Sequence, residues 1–194
     1  MRIIAGKFKA KKILSPKTEK TRPTLDRVKE AMFSIISDYL QSANVLDLFA
    51  GTGNLAIEAI SRGAKFAWLN DKDNMGISTI ISNIKLTNTN EYVKITKKDY
   101  LKCLNQIEKE NMDFDVIFLD PPYESKFALE TLQYISNTTD KILAKDGIIV
   151  YETDKSFVSK IQKNCPCIFD EFKNLECIDQ KSYGNVVLLL YRWR

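Results

Sequence analysis

Residues 46–56 have the sequence LDLFAGTGNLA, in which an apolar run leads into two glycines and then into a helix-favouring stretch. Gly51, Gly53 and Ala56 fit the Gly-x-Gly-x-x-Gly/Ala pattern, which joins a strand to a helix in nucleotide-binding sheets. Glycine permits the tight turn and lets a ligand approach the backbone closely. Asp71 lies twenty residues beyond Gly51, at the predicted end of the next strand, where a carboxylate can accept hydrogen bonds from ribose hydroxyls. These residues predict a site for a nucleoside-containing cofactor.

Strand-like and helix-like segments alternate around this turn. The predicted strands are residues 44–49, 66–70, 92–96, 114–119 and 147–151, and the predicted helices are residues 24–39, 54–62, 73–86, 100–110, 126–144 and 157–163. Thr24 is the predicted N-cap of the first helix. Residues 168–177 and 186–193 indicate two strands with a short link, which we expect to pair antiparallel. The alternation predicts an α/β fold with a mostly parallel sheet and helices on both faces.

Residues 114–123, FDVIFLDPPY, end a buried strand with a carboxylate, two prolines and an aromatic ring. Proline has no N–H to donate, so the strand stops and the following carbonyls are left without sheet partners. The carboxyl ends of strands are where ligands bind in open α/β sheets. We therefore take Asp120, Pro121, Pro122 and Tyr123 as the candidate reaction centre. A strand-ending turn with a capping aspartate and a packing tyrosine fits this stretch equally well.

The type of cofactor depends on Asp47, which precedes the glycine turn. A dinucleotide would place its pyrophosphate at the helix N-terminus, and an NAD-dependent oxidoreductase is the alternative reading. An acid at this position suits a positively charged amino acid group instead, and S-adenosylmethionine has such a group, a ribose and no phosphate. Asp99 can reach an adenine amino group or cap the following helix. The predicted cofactor contacts are Asp47, Phe49, Ala50, Gly51, Thr52, Gly53, Asp71, Lys72, Asp99 and Tyr100.

Positive charge is concentrated at the N-terminus. Residues 1–29 contain ten Lys or Arg and two Asp or Glu, a net charge of +8, so the remainder sums to −4 because the whole chain carries +4. A basic arm on a mildly acidic body is typical of contact with nucleic acid phosphates, although a solvated lysine-rich terminus is the alternative. Residues 1–23 are predicted to form a basic arm or small hairpin, and residues 24–194 the enzyme domain. The predicted nucleic-acid contacts are Arg2, Lys7, Lys9, Lys11, Lys12, Arg22 and Arg27.

Composition excludes several kinds of chemistry. The chain has no histidine, which rules out Ser-His-Asp, Cys-His and His-metal catalysis. Its four cysteines do not suggest a disulfide framework, and Cys165 and Cys167 are too close in sequence for a usual zinc site, so no metal is expected. No apolar run approaches the roughly 20 residues that span a bilayer, and no signal peptide is evident. The protein is therefore expected to be cytoplasmic.

Several motifs, taken in order and spacing, resemble the RsmD family over nearly the whole chain. They are residues 2–6 (RIIAG), 21–24 (TRPT), 27–33 (RVKEAMF), 47–53 (DLFAGTG), 58–64 (EAISRGA), 120–123 (DPPY) and 183–184 (YG). The resemblance implies a class I methyltransferase that uses S-adenosylmethionine to methylate guanine N2 in small-subunit (16S) ribosomal RNA. We expect the protein to act as a monomer. It also implies a seven-stranded, Rossmann-like sheet whose last strand is antiparallel. Two departures are Asn70, where the family usually has an apolar residue, and Ala10, where it usually has glycine.

The resemblance gives the strand-end motif a role. Asp120 and the Pro121 carbonyl would accept hydrogen bonds from the two N–H groups of guanine N2. Tyr123 would stack on the base, a contact that contributes about 1–3 kcal/mol of binding free energy. Because base edges inside a helix are inaccessible, the guanine must be flipped into the site. A methyltransferase of DNA adenine N6 or of protein glutamine uses a similar motif. A non-enzymatic RNA-binding assembly factor explains the basic arm but not the acids at strand ends.

Overall fold

The structure is a computed structural model that describes residues 1–15, 26–122, 125–138, 141–164 and 172–194. Within these ranges the chain forms seven strands and six helices. The strands are β1 Asn44–Asp47, β2 Phe66–Asp71, β3 Val93–Lys97, β4 Asp113–Leu119, β5 Ile142–Asp154, β6 Leu175–Tyr183 and β7 Val186–Trp193. The helices are α1 Asp26–Ile35, α2 Asn54–Ser61, α3 Asn74–Thr87, α4 Tyr100–Glu110, α5 Phe127–Asn137 and α6 Lys155–Asn164.

The strands form one sheet in the order β3-β2-β1-β4-β5-β7-β6. The first five are parallel, whereas β7 runs antiparallel to β5 on one side and to β6 on the other. The strand order reverses at β1, since β2 and β3 lie to one side of it and β4 and β5 to the other. Such a reversal opens a crevice between the carboxyl ends of β1 and β4, where ligands bind in this type of sheet. The predicted fold, including the reversed last strand and the terminal hairpin, is confirmed.

Helices cover both faces of the sheet, as predicted. Alternate strand residues divide between two apolar cores, because successive side chains in a strand point to opposite faces. Val116 and Phe118 of β4 pack in the core that includes residues of α1, α2 and α3. Ile117 and Leu119 pack in the other core, which includes residues of α4 and α5. The central strands are therefore continuously apolar.

Residues 1–15 form a hairpin that packs on the first face, and we refer to them as the N-terminal hairpin. Arg2 pairs antiparallel with Lys12, and the Ile3 N–H donates to the Lys11 carbonyl at 3.0 Å. Ile3, Phe8 and Ile13 are buried in the same core as α1 to α3, while the lysines are exposed. The basic segment is thus held by apolar contacts, which fix the path of its backbone on the surface.

Ala10 keeps a conformation that suits glycine. Its φ is 67°, in the left-handed region that costs a non-glycine residue roughly 1–2 kcal/mol. Its N–H donates to the Ile3 carbonyl at 2.9 Å, so the pairing of the hairpin depends on this turn. Ala10 therefore adopts the left-handed conformation that glycine adopts without strain.

The predicted boundaries of two elements were wrong. The helix predicted over residues 126–144 ends at Asn137, and β5 begins at Ile142. Ile142 and Leu143 are buried and pair with the start of β4, so long-range strand pairing overrides the helical pattern there. The strand predicted over residues 168–177 lies instead at Leu175–Tyr183, and residues 168–171 fall outside the described ranges. β6 is an edge strand whose exposed polar residues gave no strand signal.

The other boundaries agree with the predictions to within a few residues. Thr24, the predicted N-cap, lies outside the described ranges, and α1 begins at Asp26. No helix in the described part of the chain is long and apolar enough to cross a membrane. Within the same residues, no group of three or more His, Cys, Asp or Glu side chains could hold a metal ion.

Candidate active site

Asp47 lies at the end of β1, beside the crevice where the strand order reverses. Its side chain is 1% exposed, and Oδ2 accepts a hydrogen bond from the Ala56 N–H at 3.3 Å. A carboxylate thus already occupies the positive end of α2, where a pyrophosphate would bind. Burial, and then the negative charges of Asp120 and Asp71, raise the pKa of Asp47 to about 8, while the bond from Ala56 opposes this rise.

The glycine loop, residues 50–53, is held against β2 by its own backbone. The Ala50 N–H donates to the Asn70 carbonyl at 2.9 Å, and the Gly51 N–H donates to Asp71 Oδ2 at 2.8 Å. The Gly53 N–H turns back to the Ala50 carbonyl at 2.7 Å. Gly51 and Gly53 have φ values of 55° and 76°, which glycine adopts without strain. The loop is therefore shaped before any ligand binds.

Asp71 is the last residue of β2, and both of its side-chain oxygens accept backbone hydrogen bonds. Oδ2 accepts the Gly51 N–H and Oδ1 accepts the Asp73 N–H, each at 2.8 Å. A carboxylate oxygen has two lone pairs, so each oxygen can also accept a bond from a ribose hydroxyl. A Cβ on Gly76 would lie 3.0 Å from Asp71 Cγ, so the absence of a side chain in α3 makes room for this acid.

Asp99 caps α4, as one of the two readings of the sequence proposed. Its Oδ1 accepts the Leu101 N–H at 3.1 Å, and the side chain is exposed at the carboxyl edge of the sheet. The hydrogen bond that caps α4 uses one oxygen of the carboxylate. A contact between Asp99 and a ligand stays a prediction. The two roles are compatible, since the cap uses a single lone pair.

Three aromatic rings form a wall beside the glycine loop, which we call the aromatic wall: Phe49, Tyr100 and Phe127. The Tyr100 ring lies 5.1 Å from that of Phe127 and 5.7 Å from that of Phe49, measured between centroids. The Tyr100 hydroxyl is hydrogen-bonded to Glu130, and burial together with that carboxylate raises the pKa of Tyr100. The exposed Lys72 places Nζ 5.2 Å from the centroid of the Phe127 ring.

Asp120 follows β4 on the other side of the crevice. Its side chain is half-buried, and burial raises its pKa to about 7. Among the described residues, no group donates a hydrogen bond to the Asp120 carboxylate or to the Pro121 carbonyl, whereas the Pro122 carbonyl accepts the Ser125 N–H at 3.2 Å. The first two acceptors after the strand are therefore available to a ligand. Tyr123, the fourth predicted residue of the reaction centre, lies outside the described ranges.

The predicted nucleic-acid contacts lie on the hairpin and on α1. The exposed ones are Arg2, Lys7, Lys9, Lys11, Lys12 and Arg27, and Arg22 lies outside the described residues. Arg2 forms a surface ion pair with Asp26 at 2.9 Å, which such exposure makes weak. The Lys7 N–H donates to the carbonyl of Ser61, the last residue of α2. The hairpin tip thus lies about 12 Å along α2 from the glycine loop, at 1.5 Å per residue.

Some functional candidates were missed at the level of sequence. Asn70, Asn83, Lys29 and Glu58 are all buried and polar. Asn83 falls between Ile80 and Thr87 on the buried face of α3, so a polar residue in an apolar stripe was the available signal. Asn70 Nδ2 donates to the Leu48 carbonyl, just after β1, and to the Lys98 carbonyl, just after β3, so it links the ends of three strands.

The fold and the candidate site together indicate the class of protein to which this chain belongs. The sheet has the strand order and the reversed β7 of a Rossmann-like methyltransferase. The Asp71 and Asp47 carboxylates accept the N–H groups of Gly51 and Ala56, which a dinucleotide's pyrophosphate would need as donors. The class is therefore that of the class I methyltransferases. Residues 1–192 match the family described as "Conserved hypothetical protein 95", and the chain belongs to this family, the RsmD family.

Two relatives and one solved structure are similar to this chain over most of its length. The protein YlbH of Bacillus subtilis (strain 168) is 37% identical over 155 residues, which are 80% of this chain and 83% of that protein. Ribosomal RNA small subunit methyltransferase D of Haemophilus influenzae is 31% identical over 193 residues, 99% of this chain and 93% of the relative. The solved structure of yhhF from Escherichia coli is 27% identical, has a TM-score of 0.80, and covers 100% of this chain and 98% of its own.

A more distant structure shares the fold alone. SMU.776, which was solved complexed with SAH, is 15% identical with a TM-score of 0.66. The match covers 87% of this chain and 49% of SMU.776.

Proposed function

We propose that this methyltransferase transfers the methyl group of S-adenosylmethionine to the exocyclic N2 of a guanine in small-subunit (16S) ribosomal RNA. The names of relatives such as the Haemophilus influenzae protein support an RNA substrate of this class. The choice of an amine is carried by one observation: among the described residues, the Asp120 carboxylate and the Pro121 carbonyl accept no hydrogen bond from the protein. Two adjacent acceptors match the two N–H bonds of an exocyclic amine.

The cofactor assignment follows from the donor and acceptor groups of the crevice. Asp47 would accept bonds from the amino group of the cofactor's amino acid moiety, and Asp71 from the ribose hydroxyls. Adenine would lie between Asp99 and the aromatic wall. The N–H groups of Gly51 and Ala56 are already bonded to carboxylates, so a pyrophosphate would find acids where it needs donors. This disfavours an NAD-dependent oxidoreductase.

The protein's contribution to the reaction is chiefly orientation. When bound, S-adenosylmethionine supplies a methyl group on a positively charged sulfur. The lone pair of guanine N2 is delocalised into the ring, and bonds from N2–H to Asp120 and Pro121 would favour a more pyramidal nitrogen aimed at that methyl group. Such positioning and preorganised electrostatics commonly provide most of the rate. A carboxyl with a pKa near 7 can also take the proton that N2 loses after transfer.

Product mapping tests the proposal. The protein is incubated with methyl-labelled cofactor and, separately, with stripped small-subunit RNA, genomic DNA and a protein extract. We expect label in the RNA, released as N2-methylguanosine on nuclease digestion and identified by mass spectrometry. Label in N6-methyladenine or in glutamine would contradict the proposal and support another methyltransferase with a similar strand-end motif.

The N-terminal hairpin would grip RNA phosphates. Each phosphate contact contributes roughly 0.7–0.9 to the slope of log affinity against log salt. Replacing Lys9, Lys11 and Lys12 by Ala is therefore expected to flatten this slope by about 2 to 3 and to weaken binding at low salt. Fluorescence anisotropy of labelled RNA at several salt concentrations measures both the affinity and this slope. An unchanged slope would indicate that these lysines are merely solvated.

We also propose an oligomeric state, a metal requirement and a cellular location for the reaction. One chain would act on one RNA molecule, without a metal ion, in the cytoplasm where small subunits assemble. An RNA that reaches both Asp120 and the hairpin tip must extend along α2, which favours a structured RNA over a short single strand. Methylation of an intact fragment should therefore be more efficient than methylation of a short oligonucleotide that contains the same guanine.

A further inference from the structure

Asn83, in α3, contacts both the N-terminal hairpin and the glycine loop. Its side chain is fully buried. Oδ1 accepts the Leu14 N–H at 2.7 Å, and Nδ2 donates to the Leu14 carbonyl at 3.3 Å. Nδ2 also donates to the Thr52 carbonyl at 2.9 Å. One amide therefore pairs with the hairpin backbone as a neighbouring strand would, while it holds the loop.

The bond to Thr52 determines how the loop is oriented. The peptide between Thr52 and Gly53 has its carbonyl held by Asn83 and its N–H held by the Ala50 carbonyl at 2.7 Å. A peptide plane fixed at both ends cannot rotate without breaking a buried hydrogen bond. An unsatisfied buried polar group costs about 1–3 kcal/mol. If the hairpin moved away, Asn83 would lose its donor, and the loop would lose part of its support.

The other end of the hairpin meets the loop through a second buried contact. Lys29 Nζ donates to the Arg2 carbonyl at 2.7 Å and to Asn54 Oδ1 at 2.8 Å. Asn54 is the first residue of α2 and directly follows the loop. Lys29 is held in place by a buried ion pair with Glu58 at 3.0 Å. The two ends of the hairpin are thus fastened to the two sides of the glycine loop.

We infer that Asn83 is a positioning residue that couples RNA binding at the hairpin to cofactor binding at the glycine loop, so that each ligand tightens the binding of the other. The inference rests on the proposed function, since it takes the hairpin as the RNA contact and the loop as the cofactor contact. Coupling of this kind is reciprocal and typically amounts to a 5- to 150-fold change in affinity. It would make the enzyme hold its methyl donor most tightly when an RNA is in place.

The test is a binding cycle with two probes, SAH and an in vitro transcript of small-subunit RNA. The dissociation constant of the transcript is measured with and without saturating SAH. For the unaltered protein we expect SAH to tighten RNA binding about fivefold or more. Asn83→Ala should bring this ratio below about twofold and weaken SAH binding alone roughly tenfold, because the Thr52 carbonyl loses its donor. Its KM for the methyl donor should rise, while kcat at saturation stays near that of the unaltered protein.

A second variant cuts the same link from the hairpin side. Leu14→Pro removes the N–H that donates to Asn83 Oδ1, and Leu14 is 49% exposed, so little packing is lost. The bond between Asn83 and Thr52 is retained. When RNA is absent, we expect this variant to bind SAH less tightly than the unaltered protein, because Asn83 loses a donor, but more tightly than Asn83→Ala, because the Thr52 carbonyl keeps its own donor. The coupling ratio should fall below about twofold, since the hairpin keeps only the longer bond from Asn83 Nδ2 to the carbonyl of residue 14 at 3.3 Å.

Ser61→Ala is the matched control, because Ser61 fastens the hairpin at the far end of α2. Its hydroxyl accepts the Phe8 N–H at 2.9 Å and donates to the Ala5 carbonyl at 2.6 Å, without touching the loop. This variant should weaken RNA binding by the same factor with and without SAH, so that the ratio is unchanged. A fall in the ratio as large as in Asn83→Ala would overturn a specific role for Asn83.

Other outcomes are equally decisive. A ratio near one in the unaltered protein, with methyl transfer to RNA intact, overturns the coupling and leaves the proposed function standing. Absence of methyl transfer to any RNA overturns the proposed function itself. If Asn83→Ala fails to fold, as judged by circular dichroism, Leu14→Pro decides: an unaltered ratio in that variant overturns the inference, and a lost ratio supports it.

Discussion

The carboxylates on the two sides of the central crevice differ in their hydrogen-bond partners. On the side that we propose for the cofactor, Asp47 and Asp71 both accept backbone N–H groups of the glycine loop or the start of α2. On the side that we propose for the substrate, Asp120 accepts no hydrogen bond among the described residues. Burial raises the pKa of Asp47 to about 8 and of Asp120 to about 7, so both acids are costly to ionise. The backbone thus holds the acids on the side proposed for the cofactor, whereas Asp120, on the side proposed for the substrate, keeps its acceptor oxygens free of protein hydrogen bonds among the described residues.

The largest expected effect comes from removing the free acceptor. Asp120→Ala should slow methyl transfer about 100-fold or more, the usual cost of losing one preorganised polar group at a reaction centre. SAH affinity should stay within about threefold, because Asp120 does not support the loop. Single-turnover assays and calorimetric titration measure the two quantities. Asp113→Ala, at the exposed start of the same strand, is the control and should leave both unchanged.

Equal losses of SAH affinity and transfer rate in Asp120→Ala would break the comparison. They would mean that the acid on the substrate side also supports the cofactor site. The transfer rate at saturating cofactor is the quantity that separates the two explanations.

Removing the acid on the opposite side should give the reverse result. Asp71→Ala takes away an acceptor for the ribose and leaves the Gly51 N–H without its partner at 2.8 Å. A cost of about 1–3 kcal/mol corresponds to roughly 5- to 150-fold weaker SAH binding. The transfer rate at saturating cofactor should change little. A large loss of kcat with normal SAH affinity would contradict the division of labour between the two sides.

The raised pKa of Asp47 predicts that cofactor affinity depends on pH. Below about pH 8 the free protein holds a proton on Asp47, whereas a positively charged ligand favours the ionised carboxylate. Binding must then release the proton, so affinity for S-adenosylmethionine should rise as the pH is raised from 6 to 8, by at most about tenfold per pH unit, and then level off. Calorimetry in buffers of different ionisation enthalpy counts the released protons. Asp47→Asn should abolish the dependence.

The same carboxyls predict how the stability of the free protein varies with pH. Their pKa values in the folded state, about 8 and about 7, lie above the value near 4 expected for an unfolded aspartate. Between about pH 4 and pH 8 the folded state therefore binds more protons than the unfolded state. The free energy of unfolding contributed by these groups should fall as the pH rises through this window. Urea titrations at several pH values test the sign, and the slope should be shallower in Asp120→Asn.

The smallest expected effect tests the space around Asp71. In Gly76→Ala, the new Cβ would lie 3.0 Å from Asp71 Cγ and 3.2 Å from each of its oxygens. Two backbone N–H groups hold this carboxylate, so it cannot shift freely, and we expect SAH binding to weaken about three- to tenfold, which corresponds to about 1 kcal/mol. Thermal stability should not fall, because alanine favours a helix by about 1 kcal/mol over glycine. Ser78→Ala, on the exposed face of the same helix, should leave SAH binding unchanged.

Much of the fold was predictable because its signals are local. The apolar strands, the glycine turn and the acids at strand ends follow from periodicity and short spacings. The predictions were wrong where a distant partner decides. Ile142 and Leu143 leave a helical pattern to pair with β4, and β6 is held at the sheet edge by β7 despite its polar residues.

The candidate site divides in the same way. The sequence indicated that Asp47, Asp71 and Asp120 would meet at one edge, since the carboxyl ends of parallel strands share an edge. It could not indicate which carboxylate is already bonded to the backbone. That depends on the conformation of the loop, in which Gly51 donates to a residue twenty positions away.

The sequence by itself therefore determined the class of fold, the edge at which ligands bind and the basic character of the N-terminal segment, because these depend on residue type and local spacing. Only the tertiary structure decided that the basic segment is fastened to the glycine loop. Asn83 joins Leu14, 69 positions away, to Thr52, 31 positions away. A buried amide selects its partners by proximity in the folded chain, and residue type and spacing do not reveal them.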